Sequence, residues 1–353
     1  MSMYRKIFIL YQRGIQTGGP EALHQLADAL NNLGLDAYMV PMKGTASNLR
    51  VPAYDHFNAP EIDQVEDAAD CAVIAPETGI NELRGIRDAE KFCWWLSVDN
   101  STLVSCERSL LRVPADGFIN RLKRIKYRVG LPLQTIGRFR ARLASTTHLA
   151  QSHYAWAFIN SRFGIVPSML SDYTNSQEII SMARSDQVAC VIAYNPAKGG
   201  AIIQELKASL GESISCEWLP IVHMTRTDVI RALRRTTVYV DLGHHPGKDR
   251  IPREAATAGA VVLVGRRGSG SYFADVPIPW EHKIDMSRPI SDATRALRLI
   301  VEDTVGELAK QEDYRRTIAH EKQRFVLEVM DIFISGRRGS DCSSNASVTA
   351  VNF

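Results

Sequence analysis

Apolar residues fall along this chain in two kinds of run. Short blocks such as Lys6–Tyr11, Cys71–Ala75, Val188–Tyr194, Val238–Leu242 and Ala260–Val264 are apolar at nearly every position, as strands covered on both faces must be. Between them lie segments whose apolar residues recur at helical spacing. Leu23, Leu26, Ala27 and Leu30 make one such face, and Gly34 ends it. Further strands are expected at Asp36–Val40, Phe92–Val98, His148–Gln151 and Cys216–Leu219. Helices are expected at Ala201–Leu210, after a cap at Thr227, from Pro252 to Gly259, and over residues 291–312 and 313–334. Strands alternating with helices in this way predict an α/β fold built on parallel sheets.

Length turns one such fold into two. With 353 residues and 45% hydrophobic content, the chain exceeds what a single core holds, so two domains of about 150–170 residues are expected. The polar, turn-rich stretch near 166–186 reads as the link. It separates an N-terminal domain, 1–168, from a second, 187–312. Residues 313–335 form a closing helix, and the Ser- and Asn-rich tail 336–353 has too little to bury and is expected to be disordered.

Charge narrows the partners. A net charge of +3 is too small to imply nucleic acid. The six cysteines show no metal-binding spacing and read as reduced thiols of a cytoplasmic protein. The first apolar run is a strand rather than a signal peptide, and no run approaches the roughly 18 residues of a membrane span. One segment departs from the balance: from Gly117 to Ser171 there is no Asp or Glu, while Arg121, Lys123, Arg124, Lys126, Arg128, Arg138, Arg140, Arg142 and Arg162 supply nine cations. Within 117–142 a helix can be drawn with Ile119, Leu122, Ile125 and Val129 on one side. That pattern suits an anionic membrane surface or a diphosphate-bearing lipid acceptor; it also suits a solvated basic face.

Candidate chemistry concentrates between Thr237 and Gly270. The loop between the strand at Val238–Leu242 and the helix opening near Pro252 carries His244, His245, Lys248 and Arg250, with Arg253 just inside the helix. Cations crowding a helix N-terminus, at the carboxyl edge of a parallel sheet, make a site for an anion such as phosphate. Glu254 stands among them, either accepting from ribose hydroxyls or serving the helix dipole. The next strand leads into GRRGSGSY, with Ser269 and Gly270 at the same edge, and the strand ending at Tyr194 leads into NPAKGG, which adds Lys198. In the first domain Gly18 and Gly19 precede a helix without forming GxGxxG, which removes the main support for a dinucleotide dehydrogenase. Glu77 and Asp99 also stand at strand ends, each able to be a general base or a cap.

The stretch PREAATAGAVVLVG resembles the nucleotide-sugar half of GT-B-fold glycosyltransferases, in which a Glu opening a helix contacts the donor ribose. The commonest, GT4-type branch carries a second Glu eight residues earlier; Pro246 stands there in this chain. WWLSVDN (94–100), LAQSHYAWAFI (149–159) and YNPAKG (194–199) resemble the same superfamily, in particular enzymes of bacterial surface polysaccharide synthesis. The resemblance implies two Rossmann-like domains facing across a cleft, and transfer of a sugar from a nucleotide diphosphate donor to a glycan or lipid-linked acceptor. It implies a donor site of Lys198, His244, Lys248, Arg250, Arg253, Glu254, Ser269 and Gly270, cleft loops holding Gly18, Gly19 and Glu77, and Asp99 as base if the reaction inverts. No DxD occurs, so no metal and no cofactor are expected and fixed cations carry the electrostatic work. A nucleotide-sugar 2-epimerase or hydrolase of the same fold is the alternative, followed by a non-enzymatic sugar- or nucleotide-binding protein.

Overall fold

A computed structural model describes residues 3–43, 49–101, 143–183, 190–211 and 214–336. The chain divides into two units, Met1–Ser171 with Phe325–Phe353, and Asp172–Arg324. The basic segment 117–142 and the tail beyond Gly336 lie outside the described residues.

The first unit is built on strands β1 (Lys6–Tyr11), β2 (Ala37–Pro41), β3 (Cys71–Pro76), β4 (Glu90–Trp95), β5 (Thr147–Ala150) and β6 (Ser168–Met169), in the order β2-β1-β3-β4-β5-β6. Every pairing is parallel. Ile7 and Ile9 are as buried as Phe8, and Ile74 as Val73, which is why these strands read as unbroken apolar runs. Helix α1 (Gly18–Asn32) lays Leu23, Leu26, Ala27 and Leu30 on the core, and Gly34 takes the left-handed φ of 81° that lets the chain turn into β2. The expected strand Phe92–Val98 is cut short: β4 ends at Trp95, and Val98–Asn100 is a single 3-10 turn. Helix α2 (His153–Phe163) follows β5, capped by the Ser152 side chain on Ala155 N.

The second unit holds a five-stranded parallel sheet of β7 (Cys190–Tyr194), β8 (Cys216–Pro220), β9 (Val238–Asp241), β10 (Val261–Gly265) and β11 (Lys283–Ile284), ordered β11-β10-β9-β7-β8. Its helices are α3 (Ser176–Ile180), α4 (Gly200–Leu210), α5 (Arg226–Arg234), α6 (Arg250–Ala258), α7 (Pro289–Glu302), α8 (Thr304–Ala309) and α9 (Glu312–Ala319). In both sheets β-strand order reverses next to the first strand, at β1/β3 and at β7/β9, and ligands of open parallel sheets bind at the carboxyl ends of such a pair.

Several expectations shift. The second unit begins at Asp172, inside the stretch read as a linker: Ile179 of α3 is buried in its core with Met182 packed against it, and the polar residues around them hid these anchors. Helix α5 is capped by Thr225, whose hydroxyl accepts from Asp228 N at 3.2 Å, rather than by Thr227. The last third is cut into four helices. The closing one, α10 (Glu321–Phe333), belongs to the first unit from Phe325 onward, where Phe325 stacks on Trp94 and Phe333 packs against Phe92.

Candidate functional site

In the second unit two loops meet beyond the carboxyl ends of β7 and β9. After β7 the Asn195 side chain accepts from Ala197 N at 2.9 Å, a turn that delivers Lys198 to the edge. After β9, Gly243 passes so near that a β-carbon there would lie 2.7 Å from that of Lys198, and one on Gly199 would lie 3.0 Å from the Leu242 carbonyl carbon. Both glycines are therefore required by the approach of one loop to the other.

Behind this contact runs a chain of charges, partly exposed at Lys198 and Asp249 and buried at His245 and Asp241. The Lys198 ammonium bonds Asp249, Asp249 Oδ2 lies 2.6 Å from His245 Nδ1, and His245 Nε2 lies 3.7 Å from Asp241 Oδ1. Burial pulls the His245 pKa down, but the Asp241 and Asp249 carboxylates outweigh it and hold it above the usual value. Burial pushes Asp241 up, whereas the hydrogen bond and charge of His245 bring Asp249 below its usual value against the same burial. Two cations thus balance two carboxylates, which is how such groups can be enclosed. Asp241, His245 and Asp249 place ligand atoms within 4.8 Å of one another, a spacing that could hold a metal ion. An ion there would compete with His245 and Lys198 for the same oxygens.

The remaining loop cations divide into two sets. Arg253 is enclosed at 2% side-chain exposure, with Nη1 donating to Glu321 Oε2 at 2.9 Å and Nη2 to Asp172 Oδ2 at 2.7 Å and to the Lys248 carbonyl at 3.0 Å. Lys248 donates to the other oxygen of Glu321 at 3.0 Å. Burial raises the Glu321 carboxyl, and the charges of Arg253 and Lys248 overcome it and hold it below the ordinary range. Arg250, by contrast, has 28% of its side chain exposed, as has Lys198. Glu254 is buried, accepting from Arg226 Nη1 at 2.6 Å, with Arg250 Nε 3.8 Å away. Ser269 is buried too: its hydroxyl donates to the Gly247 carbonyl at 2.6 Å and its amide to the His245 carbonyl at 2.9 Å. A β-carbon on Gly270 would lie 2.5 Å from the Gly265 carbonyl oxygen, and Lys283 Nζ donates to the Gly270 carbonyl at 2.9 Å.

At the corresponding edge of the first unit, Glu77 directly follows β3 and is buried, its Oε2 accepting from Leu96 N at 2.8 Å. Burial lifts its pKa to about 7 in spite of the Leu96 and Ser97 amides. Asp99 is also buried and accepts from the Tyr154 hydroxyl at 3.2 Å. Gly18 and Gly19 open α1, whose preceding Thr17 makes no side-chain cap; a β-carbon on Gly19 would only touch Leu96 at 3.9 Å.

Three solved structures share this architecture. Anabaena HepE in complex with UDP-glucose is similar at 12% identity, over 94% of this chain and 98% of that one, with a TM-score of 0.59. WaaG, a glycosyltransferase involved in lipopolysaccharide biosynthesis, is similar at 14% identity over 94% and 100%, with a TM-score of 0.56. Sucrose-phosphate synthase from Thermosynechococcus elongatus is similar at 10% identity over 93% and 98%, with a TM-score of 0.59. The chain has the GT-B fold. No protein-family model and no curated protein sequence matches it.

Within this GT-B chain Lys198 follows β7, Arg250 and Glu254 lie in the first turns of the helix after β9, and Ser269 and Gly270 follow β10, with His244 half-buried in the loop after β9. Lys248 and Arg253 need correction as free cations: their charge is committed to Glu321 and Asp172, partners 68 and 81 residues from Arg253 in sequence. Ser269 likewise fastens the β9 loop through its hydroxyl. Sequence reasoning passed over Asp241, Asp249 and Arg226. Asp249 was legible as the residue before a helix, yet it makes no side-chain cap because its carboxylate is taken by His245 and Lys198.

Proposed function

We propose that the chain is a glycosyltransferase that takes a sugar from a nucleotide diphosphate donor bound at the carboxyl edge of the second unit. The observation that carries this reading is the arrangement beyond β7 and β9: two partly exposed cations, Lys198 paired with Asp249 and Arg250 within 3.8 Å of the buried carboxylate of Glu254. A diphosphate needs cations and a ribose needs an acceptor, and this edge offers both. Solved GT-B structures with UDP-glucose, or with UDP and glucose, support the same class of donor.

Bond cleavage at the anomeric carbon leaves negative charge on the departing diphosphate. In this reading Lys198 and Arg250 would neutralise it without a metal, since fixed cations need no reorganisation as charge builds. His244 and the amides of the Ser269–Gly270 turn border the same loop. In the first unit Asp99 is the base we assign if the reaction inverts, and Glu77, whose proton affinity lies near neutrality, could exchange a proton at that edge. The acceptor we infer is a glycan or lipid-linked saccharide of surface polysaccharide synthesis. The cations of 117–142 would hold the enzyme to an anionic cytoplasmic membrane face; among the described residues no helix is long and apolar enough to cross a membrane.

A thermal-shift screen of nucleoside diphosphates and nucleotide sugars, with and without chelator, tests this reading. A ligand at about 100 times its dissociation constant stabilises by about 2.7 kcal/mol. The expected result is a shift by one nucleoside diphosphate and its sugar that survives the chelator. No shift with any of them, or one abolished by chelation, would remove the donor site or its metal independence respectively.

A further inference from the structure

We propose that Cys190 and Cys216 are a redox-active pair that closes to a disulfide between strands β7 and β8. The proposal is independent of the donor-site reading. The two residues are register partners at the starts of adjacent parallel strands, so their side chains leave the sheet on the same face. Neighbouring strands run about 4.8 Å apart, inside the roughly 4.4–6.8 Å between α-carbons that a disulfide spans. Their side chains already hydrogen-bond to each other.

The surroundings separate their roles. The Thr237 hydroxyl, which accepts from Val191 N at 3.1 Å, also bonds the Cys190 sulfur. With donors from Cys216 and Thr237, Cys190 is the better thiolate: the Cys216 hydrogen bond draws its pKa down against burial, while the same bond pushes that of Cys216 up. Both residues are only half-buried, within reach of a small disulfide, whereas Cys71 and Cys93 are buried in the first unit. Burial pushes the Cys93 thiol well up.

The exchange balances with glutathione disulfide as oxidant. The Cys190 thiolate attacks one of its sulfurs and expels a glutathione thiolate, leaving a mixed disulfide. Cys216 gives its proton to that thiolate and attacks the Cys190 sulfur; the protein S–S bond forms and the second glutathione thiolate leaves, taking a proton from water. Two protein thiols are oxidised and one glutathione disulfide is reduced. The bond would fasten the edge strand β8 to β7 around α4, at the strand ends opposite the Asn195–Gly199 and Leu242–Asp249 loops. Ligand binding at those loops should survive it.

The test is to incubate the full chain with glutathione disulfide and map its cysteines by mass spectrometry without reduction. The expected product is a peptide pair joined through Cys190 and Cys216, lighter by two hydrogens and released by dithiothreitol. In Cys216→Ser the reaction should stop at a glutathione adduct on Cys190. A wild-type chain in which both cysteines still alkylate, or in which Cys190 keeps its adduct, would overturn the proposal, and this measurement stands if the variant fails to fold.

Discussion

Glu77 is a buried carboxyl whose proton affinity is moved into the neutral range. Sequence placed it at a strand end, but not under the Leu96 amide, because the neighbour that encloses it comes from another strand. Its pKa stands at about 7 in the folded chain against an ordinary glutamate value of 4.5. The folded state therefore keeps a proton between those limits that the unfolded state has lost, so stability falls as pH rises from about 4.5 to about 7, by roughly 3 kcal/mol in all. Glu77→Gln keeps an acceptor for Leu96 N and has no proton to lose. Urea titrations at pH 5 and pH 8 should find the variant close to wild type at the lower pH and about 1–3 kcal/mol more stable at the higher; parallel pH profiles would sink the assignment. Glu254 carries a different expectation. Because Arg226 bonds it in a buried setting, Glu254→Gln should cost stability whether or not it meets a ribose, on the order of 1–3 kcal/mol. Only affinity separates the two: a donor site predicts markedly weaker nucleotide binding in a folded variant, and a purely structural pair predicts none.

At the scale of elements, the apolar runs were enough to place most strands, since strands buried on both faces leave no polar position to confuse the reading. β6 and β11 escaped because two residues carry no periodicity, and the closing helices were merged because their breaks lack a proline. Helix α6 shows why a charged loop is hard to read. Lys248 and Arg253 resemble Arg250 in sequence, yet they meet Glu321 at the start of α10 and, for Arg253, Asp172 at the start of the second unit, contacts made only by folding. Removing one partner from such an enclosed group leaves carboxylates buried without their cation, at a cost of about 3–5 kcal/mol. Arg253→Met should therefore lower stability by about that much, with the donor site intact in whatever remains folded. A variant as stable as wild type but deficient in nucleotide binding would instead return Arg253 to the role the sequence suggested.

For the whole molecule, hydrophobic content and length indicated two units, and the GT-B-like stretches indicated their kind. The second unit starts at Asp172 rather than near 187, and the segment entering it reads as a linker because Tyr173, Ile179, Ile180 and Met182 are scattered among polar residues. Attachment to a membrane rests on composition alone. If the cations between Gly117 and Arg142 serve it, each contributes about 1 kcal/mol near an anionic leaflet, so the protein should cosediment with anionic vesicles at low salt and be released as salt rises. Equal behaviour with neutral vesicles would leave those cations to solvent or to an acidic glycan.

The central claim is that Lys198 and Arg250 hold the donor diphosphate, and calorimetric titration of the nucleoside diphosphate picked out by the screen tests it most directly. Both side chains are partly exposed, and neither is committed to the enclosed Arg253 cluster. A charged hydrogen bond is worth about 1.5–3 kcal/mol, so Lys198→Ala and Arg250→Ala should each weaken binding by roughly 10- to 100-fold. Wild-type affinity in both variants would contradict the account.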